Sequence, residues 1–376
     1  MTNKVVLCAV GDIHPDRENP DELFDLVRPI LKEADINFAH LEGMYTEKGT
    51  LQIHRVGGER VHPRNLPSIK NAGFNIVSFA GNHNMDYGNE SLLDTIERLR
   101  EKEIAVCGAG KDLDEARKPA ILDIRGTRVG FLGRLAILIP GYQAEVGKPG
   151  SAPLRVTTLY EQLEKDHPGT QPRIHTLPND EDVQDIIEDI KKLRPQVDVL
   201  VWSCHWGVHF VPKVLADYQI KIGHMVIDAG ADLILGHHPH LLHAVEVYKG
   251  KVILYSMGTF AFDSQLGHRL EEKSKTSNKD GRALMKRYGW EGRDPEYPTF
   301  DLPAICRKNI IVKCFIDGNK IRKVTLVTAL VNKKGQPEPL SARSESGNEI
   351  VKLLEESSKD FNTRLSVEDD EVLVMT

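Results

Sequence analysis

The sequence predicts an α/β fold whose strands deliver metal-binding side chains to one rim. Two observations predict it. Continuous apolar runs at residues 5–10, 36–41, 76–80, 197–203 and 231–235 read as strands buried on both faces. They are interleaved with amphipathic helical patterns at 20–34, 90–103, 180–193 and 211–229, the alternation of an α/β architecture. The second observation is the turn at the end of each run: it is polar, often bears glycine, and carries Asp, Glu, Asn or His. Open α/β sheets place ligands and chemistry at such strand ends.

The chain of 376 residues has a formal net charge of −6. That length allows one large domain or two smaller ones, and the mild acidic excess argues against a nucleic-acid partner. Five cysteines are scattered with no CxxC pair, as expected of reduced thiols. The apolar run at 5–10 is too short for a signal-peptide core, and no apolar segment reaches membrane-spanning length. Residues 131–139 come nearest, and Arg134 interrupts them. A soluble cytoplasmic protein without a membrane partner is therefore expected.

The first run leads into Gly11-Asp12-Ile13-His14-Pro15-Asp16-Arg17. Asp12 and His14, two apart on a strand, point the same way, a spacing that suits a carboxylate and an imidazole on one metal. The second strand, 36–41, delivers Glu42-Gly43. A polar, Gly-rich loop comes next, with His54, Arg55, Arg60, His62 and Arg64. The third strand ends in Gly81-Asn82-His83-Asn84, and Asn82 lies too far ahead of the next helix to be its cap.

Residues 105–110 read as a further strand and 121–132 as a hairpin around Arg125-Gly126-Thr127. A long insertion is expected at about 133–178, with a short helix near 157–165. The strand 197–203 delivers Cys204-His205-Trp206; Cys204 alternates with His205 and reads as structural. After 231–235 comes Gly236-His237-His238-Pro239-His240, three imidazoles within four positions and a proline that stiffens the loop. Hairpins at 244–256 and 309–331 come after it, separated by a charged insertion or lid at about 264–301. A last helix is expected at 349–359. The domain expected is 1–335, with 336–376 as a helical tail packed on it.

Five strand ends thus bring Asp12, His14, Glu42, Asn82, His83, His205, His237, His238 and His240 toward one rim. Hard carboxylate and amide oxygens mixed with imidazoles, without thiolate, suit Mn, Fe or Zn in a two-metal hydrolytic site. Arg17, together with Arg55, Arg60 and Arg64, suggests an anionic substrate, carboxylate or phosphate.

The order D-x-H, bridging carboxylate, GNH, lone His, His-x-His resembles the calcineurin-like metallophosphatases. More closely, the chain resembles the bacterial capsule-synthesis CapA (poly-γ-glutamate) family. The matching segments are Gly11-Asp12-Ile13 with Arg17, Leu41-Glu42-Gly43, Asn82-His83 with Asp86-Tyr87-Gly88, His205-Trp206-Gly207-Val208, and Gly236-His237-His238-Pro239-His240. Tyr255-Ser256-Met257-Gly258-Thr259-Phe260 extends the match. The resemblance implies a metallophosphatase-like four-layer α/β/β/α sandwich and two divalent metal ions. Asp12, His14 and His240 would hold one metal, Asn82, His205 and His238 the other, with Glu42 bridging.

The resemblance further implies His83 as acid or charge stabiliser beside the leaving group, Arg17 as a clamp for a substrate anion, and His237 behind the ligands. The chain departs from the phosphatase pattern at Glu42, where Asp is usual, and at Asn84, where an acid usually follows GNH. The function implied is hydrolysis of an anionic phosphoester or amide, a γ-glutamyl link included. Two alternatives stand beside it. One is a peptide epimerase using His83, His205 or His209 as acid and base. The other is a non-catalytic component of poly-γ-glutamate capsule synthesis.

Overall fold

The computed structural model describes residues 4–55, 58–167, 169–263 and 292–375, and residues 269, 286 and 290 singly. Two sheets face each other. The strands that build them are, in chain order, β1 (Lys4–His14), β2 (Ile36–Leu41), β3 (Ile76–Ser78), β4 (Ala105–Cys107), β5 (Ala120–Ile124), β6 (Thr127–Leu135), β7 (Val199–His205) and β8 (Leu233–His237). They continue with β9 (Val245–Tyr248), β10 (Lys251–Leu254), β11 (Thr259–Phe262), β12 (Lys308–Asp317), β13 (Lys320–Val331), β14 (Pro337–Leu340), β15 (Arg364–Glu368) and β16 (Glu371–Met375).

The first sheet runs β15-β16-β13-β12-β1-β2-β3-β4, with β11 added beside β1 and β14 beside β13. The second runs β9-β10-β8-β7-β6-β5. Strands β1 to β4 are mutually parallel, as are β6, β7, β8 and β10.

Packing makes four layers. Val5, Leu7, Ala9 and Phe38 of the first sheet meet Val129, Phe131, Val199, Val201, Leu233 and Leu235 of the second in one inter-sheet core. The other face of the first sheet, with Cys8, Val10, Ala39 and Val77, is covered by the helices Arg28–Glu33, Pro67–Ala72 and Asn89–Glu101. The other face of the second, with Leu200, Trp202, Cys204 and Ile234, is covered by Asp180–Leu193 and Asp217–Ala229. Cys204 is a packed core residue there, as its alternation with His205 predicts.

Several elements differ from expectation, each for a local reason. The helix expected at 20–34 is a 3₁₀ turn, Pro20–Phe24, and a separate helix, Arg28–Glu33. Pro29, which lacks an N–H, sits in the first turn of the second and cannot continue the first. The helix expected near 157–165 is instead the strand Val156–Glu161, paired with Arg173–Pro178. Val156, Thr157 and Thr158 are β-branched and favour that extended state.

The helix expected from 211 starts at Asp217, because Phe210 and Lys213 adopt left-handed φ of 57° and 60°. The segment 336–376, expected as a helical tail, holds the helix Glu345–Ser358 together with β14, β15 and β16, which extend the first sheet. Of the expected insertion at 264–301, only 269, 286, 290 and 292–301 lie within the described residues.

Candidate metal centre

The centre lies where the inter-sheet layer opens at the carboxyl ends of β1, β2, β7 and β8. A bulge in β1 creates it. Ala9 pairs with Phe38, but Asp12, three residues on, pairs with His40, only two residues on. One extra residue reverses the alternation. Val5, Leu7 and Ala9 face the second sheet, and after the bulge Ile13 packs in the opposite core, while Asp12 stands with His40. Gly11 sits at the bulge; a Cβ there would fall 1.9 Å from the Gly258 carbonyl oxygen. In the second sheet, His205 and His237 are register partners at the ends of β7 and β8.

Asp12, His40, Glu42 and His205 each offer a ligand atom, all within 4.8 Å of one another. His40 Nε2 is 3.3 Å and His205 Nε2 4.0 Å from Glu42 Oε2. Asn82 Oδ1 lies 2.6 Å from His205 Nε2, and His238 Nδ1 lies 3.1 Å from the same nitrogen. On the other side, Asp12 is approached by His240 Nδ1 at 3.2 Å and His237 Nδ1 at 3.4 Å. His238 and His240 both have left-handed φ, 96° and 57°. The strained Pro239 turn between them is the kind of backbone outlier that functional sites hold in place.

The polar atoms here fit a divalent cation. Asp12 Oδ1, both oxygens of Glu42, His14 Nε2, both ring nitrogens of His40 and of His237, and His205 Nδ1 are buried without a hydrogen-bond partner. Such atoms normally carry a large desolvation penalty. Carboxylate and imidazole lone pairs converging on one point are the donor set of Mn, Fe or Zn.

The electrostatics agree. Burial alone would raise the Asp12 carboxyl, yet the His237 and His240 imidazoles beside it hold it well below the usual carboxylate range. Glu42 is likewise lowered, against its burial, by His40. Burial, followed by the neighbouring His40, pushes His205 well below the imidazole range, and burial with His240 brings His238 down to about 3. These rings are neutral, the form that ligates metal.

His83 stands at the edge of this cluster. Its Nε2 is 4.0 Å from Glu42 Oε1, and its Nδ1 is 2.8 Å from both Asp86 Oδ2 and Arg55 Nη2. Tyr142 donates its hydroxyl to the other oxygen of Asp86 at 2.9 Å. Against burial, the Asp86 charge raises His83 above the ordinary imidazole value. Asn84 donates to the Phe79 carbonyl and Ser151, and Asp86 partners the imidazole.

The structure therefore gathers Asp12, Glu42, Asn82, His205, His238 and His240. His14 is adjacent, but its Nε2 faces Glu59 Oε2 at 3.5 Å. Arg17 is a correction. Its guanidinium grips the Asp263 carboxylate and the Lys334 carbonyl, which places Nε, Nη1 and Nη2 each on a protein acceptor instead of on the ligand cluster. Arg60 is stacked on Tyr87 and bonded to the Lys48 and Gly49 carbonyls, and Arg64 is exposed. Of the loop arginines proposed as substrate cations, Arg55 alone touches the site residues among the described residues.

Sequence reasoning missed His40, Glu59, Arg55 as a partner of His83, and Asp263. A signal existed for His40: it lies two residues before Glu42, on the same side of a strand. None existed for Glu59 or Asp263, which reach the site from a loop and from the end of β11.

The family model of the bacterial capsule synthesis protein PGA_cap matches residues 6–264. The chain belongs to this family. It is 30% identical over 275 residues to the capsule biosynthesis protein CapA of Bacillus anthracis, covering 69% of this chain and 60% of that protein. It is 28% identical over 250 residues to the PGA biosynthesis protein CapA of Bacillus subtilis (strain 168), covering 66% and 58%. The PGA_cap chain described here thus spans about three fifths of those two relatives.

Among solved structures, it is similar to a putative 5'-nucleotidase from Staphylococcus aureus in complex with alpha-ketoglutarate, at 14% identity and TM-score 0.42, over 94% of this chain and 58% of that one. It is also similar to the calcineurin-like phosphoesterase YfkN from Bacillus subtilis, at 12% identity and TM-score 0.38, over 96% and 98%.

Proposed function

We propose that this PGA_cap chain is a metal-dependent hydrolase whose centre holds two divalent ions and acts on a small anionic or peptide substrate, a phosphoester or an amide. One observation carries the reading: the buried carboxylates and imidazoles of Asp12, Glu42, His40 and His205 converge at a strand-end rim, with Glu42 and His40 lacking hydrogen-bond partners and His83 beside them. Asp12 and His240, with His14 next to them, would hold one ion, and Asn82, His205 and His238 the other, with Glu42 available to both. Divalent ions in such a centre supply Lewis acidity.

The remaining chemistry belongs to the chain. Asp86 accepts from His83 Nδ1, Arg55 is paired with the same carboxylate, and Nε2 is left facing the rim, where it presents a proton to a leaving group. Tyr142 fixes Asp86 from behind. The strained 238–240 turn and the bulge at Gly11 pre-position the ligand set. The names of the relatives, capsule and PGA biosynthesis, support including a γ-glutamyl amide among the substrates to be tried.

The test is metal analysis of the purified full chain, joined to turnover assays on a phosphomonoester, a phosphodiester and a γ-glutamyl amide with added Mn²⁺. Bound metal with metal-dependent turnover of one substrate is expected. A metal-free chain that gains no ion from Mn²⁺, Fe²⁺ or Zn²⁺ would overturn the reading. Metal binding joined to exchange of a Cα proton, without hydrolysis, would replace it with the epimerase.

A further inference from the structure

Glu59 lies in the loop between β2 and β3, outside the matching segments quoted above. It is 6% exposed, and its backbone is fixed by Glu59 N–H donating to Asp86 Oδ2 and by Met44 N–H donating to the Glu59 carbonyl. Its two carboxylate oxygens are used differently. Oε1 accepts from Arg269, and Oε2 stands 3.5 Å from His14 Nε2.

The tautomer of His14 is set by its other nitrogen. Nδ1 is 3.0 Å from the Asp263 backbone carbonyl, an oxygen that can only accept, so the ring proton sits on Nδ1. Nε2 then carries a lone pair and has no hydrogen-bond partner, in a side chain 1% exposed. Two electron-pair donors therefore face each other in a space closed to solvent, an arrangement that a cation shared between them would relieve.

The distance tells which. A proton shared by imidazolium and carboxylate draws nitrogen and oxygen to about 2.7–2.9 Å. At 3.5 Å that bond is not made. A separation of 3.5 Å suits instead two donors that would share one divalent ion. Gly43 packs against the same ring: a Cβ there would fall 2.5 Å from His14 Nε2 and 2.8 Å from the Glu59 carbonyl oxygen.

We propose that Glu59 is a metal ligand, closing through Oε2 the coordination of the ion that His14 binds through Nε2. This deepens the two-metal reading and rests on it. It adds to that ion a third hard carboxylate, one recruited from a loop and neutralised on its far oxygen by Arg269.

The test uses the full chain stripped with a chelator and titrated with Mn²⁺, by calorimetry and by metal analysis after desalting. Wild type is expected to bind two ions. Glu59→Gln is expected to weaken one of the two at least tenfold and leave the other unchanged. His14→Ala is expected to affect the same ion, and the double variant no further site. The metal-free forms of wild type and Glu59→Gln are expected to melt together. If Glu59→Gln does not fold, Glu59→Asp, one methylene shorter, carries the same expectation.

Two full-affinity sites in the Glu59 variant would overturn the proposal and leave the two-metal reading standing. Unchanged affinity with a lower melting temperature of the metal-free variant would also overturn it, making Glu59 an ion-pair partner of a protonated His14. A wild-type chain that takes up no Mn²⁺ would remove both the proposal and the reading beneath it.

Discussion

Arg17 and Asp263 form a two-pronged ion pair: Arg17 Nε lies 3.0 Å from Asp263 Oδ2 and Nη2 lies 2.5 Å from Oδ1. The same Asp263 accepts the Nδ1–H of His14 on its backbone carbonyl at 3.0 Å. Asp16 N–H adds a bond to Oδ2. An arginine placed by its motif next to the site thus acts on the end of β11, and through it on the orientation of His14.

Arg17→Ala is expected to lower stability by about 2 kcal/mol, since it strands a largely buried carboxylate. It should also loosen the ion at His14 while leaving KM for the true substrate within twofold. Chemical denaturation, metal content and steady-state kinetics read these separately. A large rise in KM at unchanged metal content would restore the anion clamp.

His83→Ala is expected to keep its metal and lose turnover by about 10²–10⁴-fold, the usual worth of a positioned acid. Asp86→Asn should reproduce part of that loss without changing metal content, because Asp86 touches the Nδ1 side of the ring. Turnover of His83→Ala within twofold of wild type would take His83 out of the chemistry.

Gly43→Ala tests how tightly the rim is packed. The added methyl would sit 2.5 Å from the His14 ring, so the imidazole or the strand end must shift. Overpacking of this kind costs about 1–3 kcal/mol. The expected result is a folded chain by circular dichroism with reduced metal retention. Full retention would show that the ring has room to move.

His243 gives a pH dependence away from the ligand set. Burial, opposed only by its bond to the Val211 carbonyl, lowers this imidazole from 6.5 to about 4. The folded chain therefore refuses a proton that the unfolded chain accepts. Stability is at its full value above about pH 6.5, falls as pH drops toward 4, and loses nothing more from this group below that. The shift corresponds to roughly 3 kcal/mol across the window. Urea midpoints between pH 7 and pH 4 should fall more steeply in wild type than in His243→Gln. Parallel slopes would show that His243 titrates normally.

The strands β1, β2, β3, β7 and β8 were legible because continuous apolar runs bounded by glycine and polar turns leave little choice of period. The hairpins around Gly126, Gly250 and Gly318 were legible for the turn chemistry of their glycines, which have left-handed φ of 85°, 72° and 62°. The ribbon at 156–178 was misread because its β-branched and aromatic positions, Val156, Thr157, Thr158 and Tyr160 among them, outweigh a weak helical spacing there. The strands β15 and β16 form a short hairpin with each other, and its place in the sheet depends on β16 pairing with Val324, Thr325 and Leu326 of β13, a distant segment that contributes no local signal.

By itself the sequence determined the kinds of ligand and the strand ends that carry them: Asp12, Glu42, Asn82, His205, His238 and His240 sit on motifs whose spacing is local. Only the tertiary structure decided which atoms meet. The bulge in β1 sets Asp12 beside His40, the β7–β8 register sets His205 beside His237, and the ring proton of His14 is assigned by a carbonyl 249 residues away. Glu59 and Asp263 reach His14, and Arg17 pairs with Asp263, through contacts between segments far apart in the chain. Such contacts depend on strand register and loop path, which residue order does not encode locally.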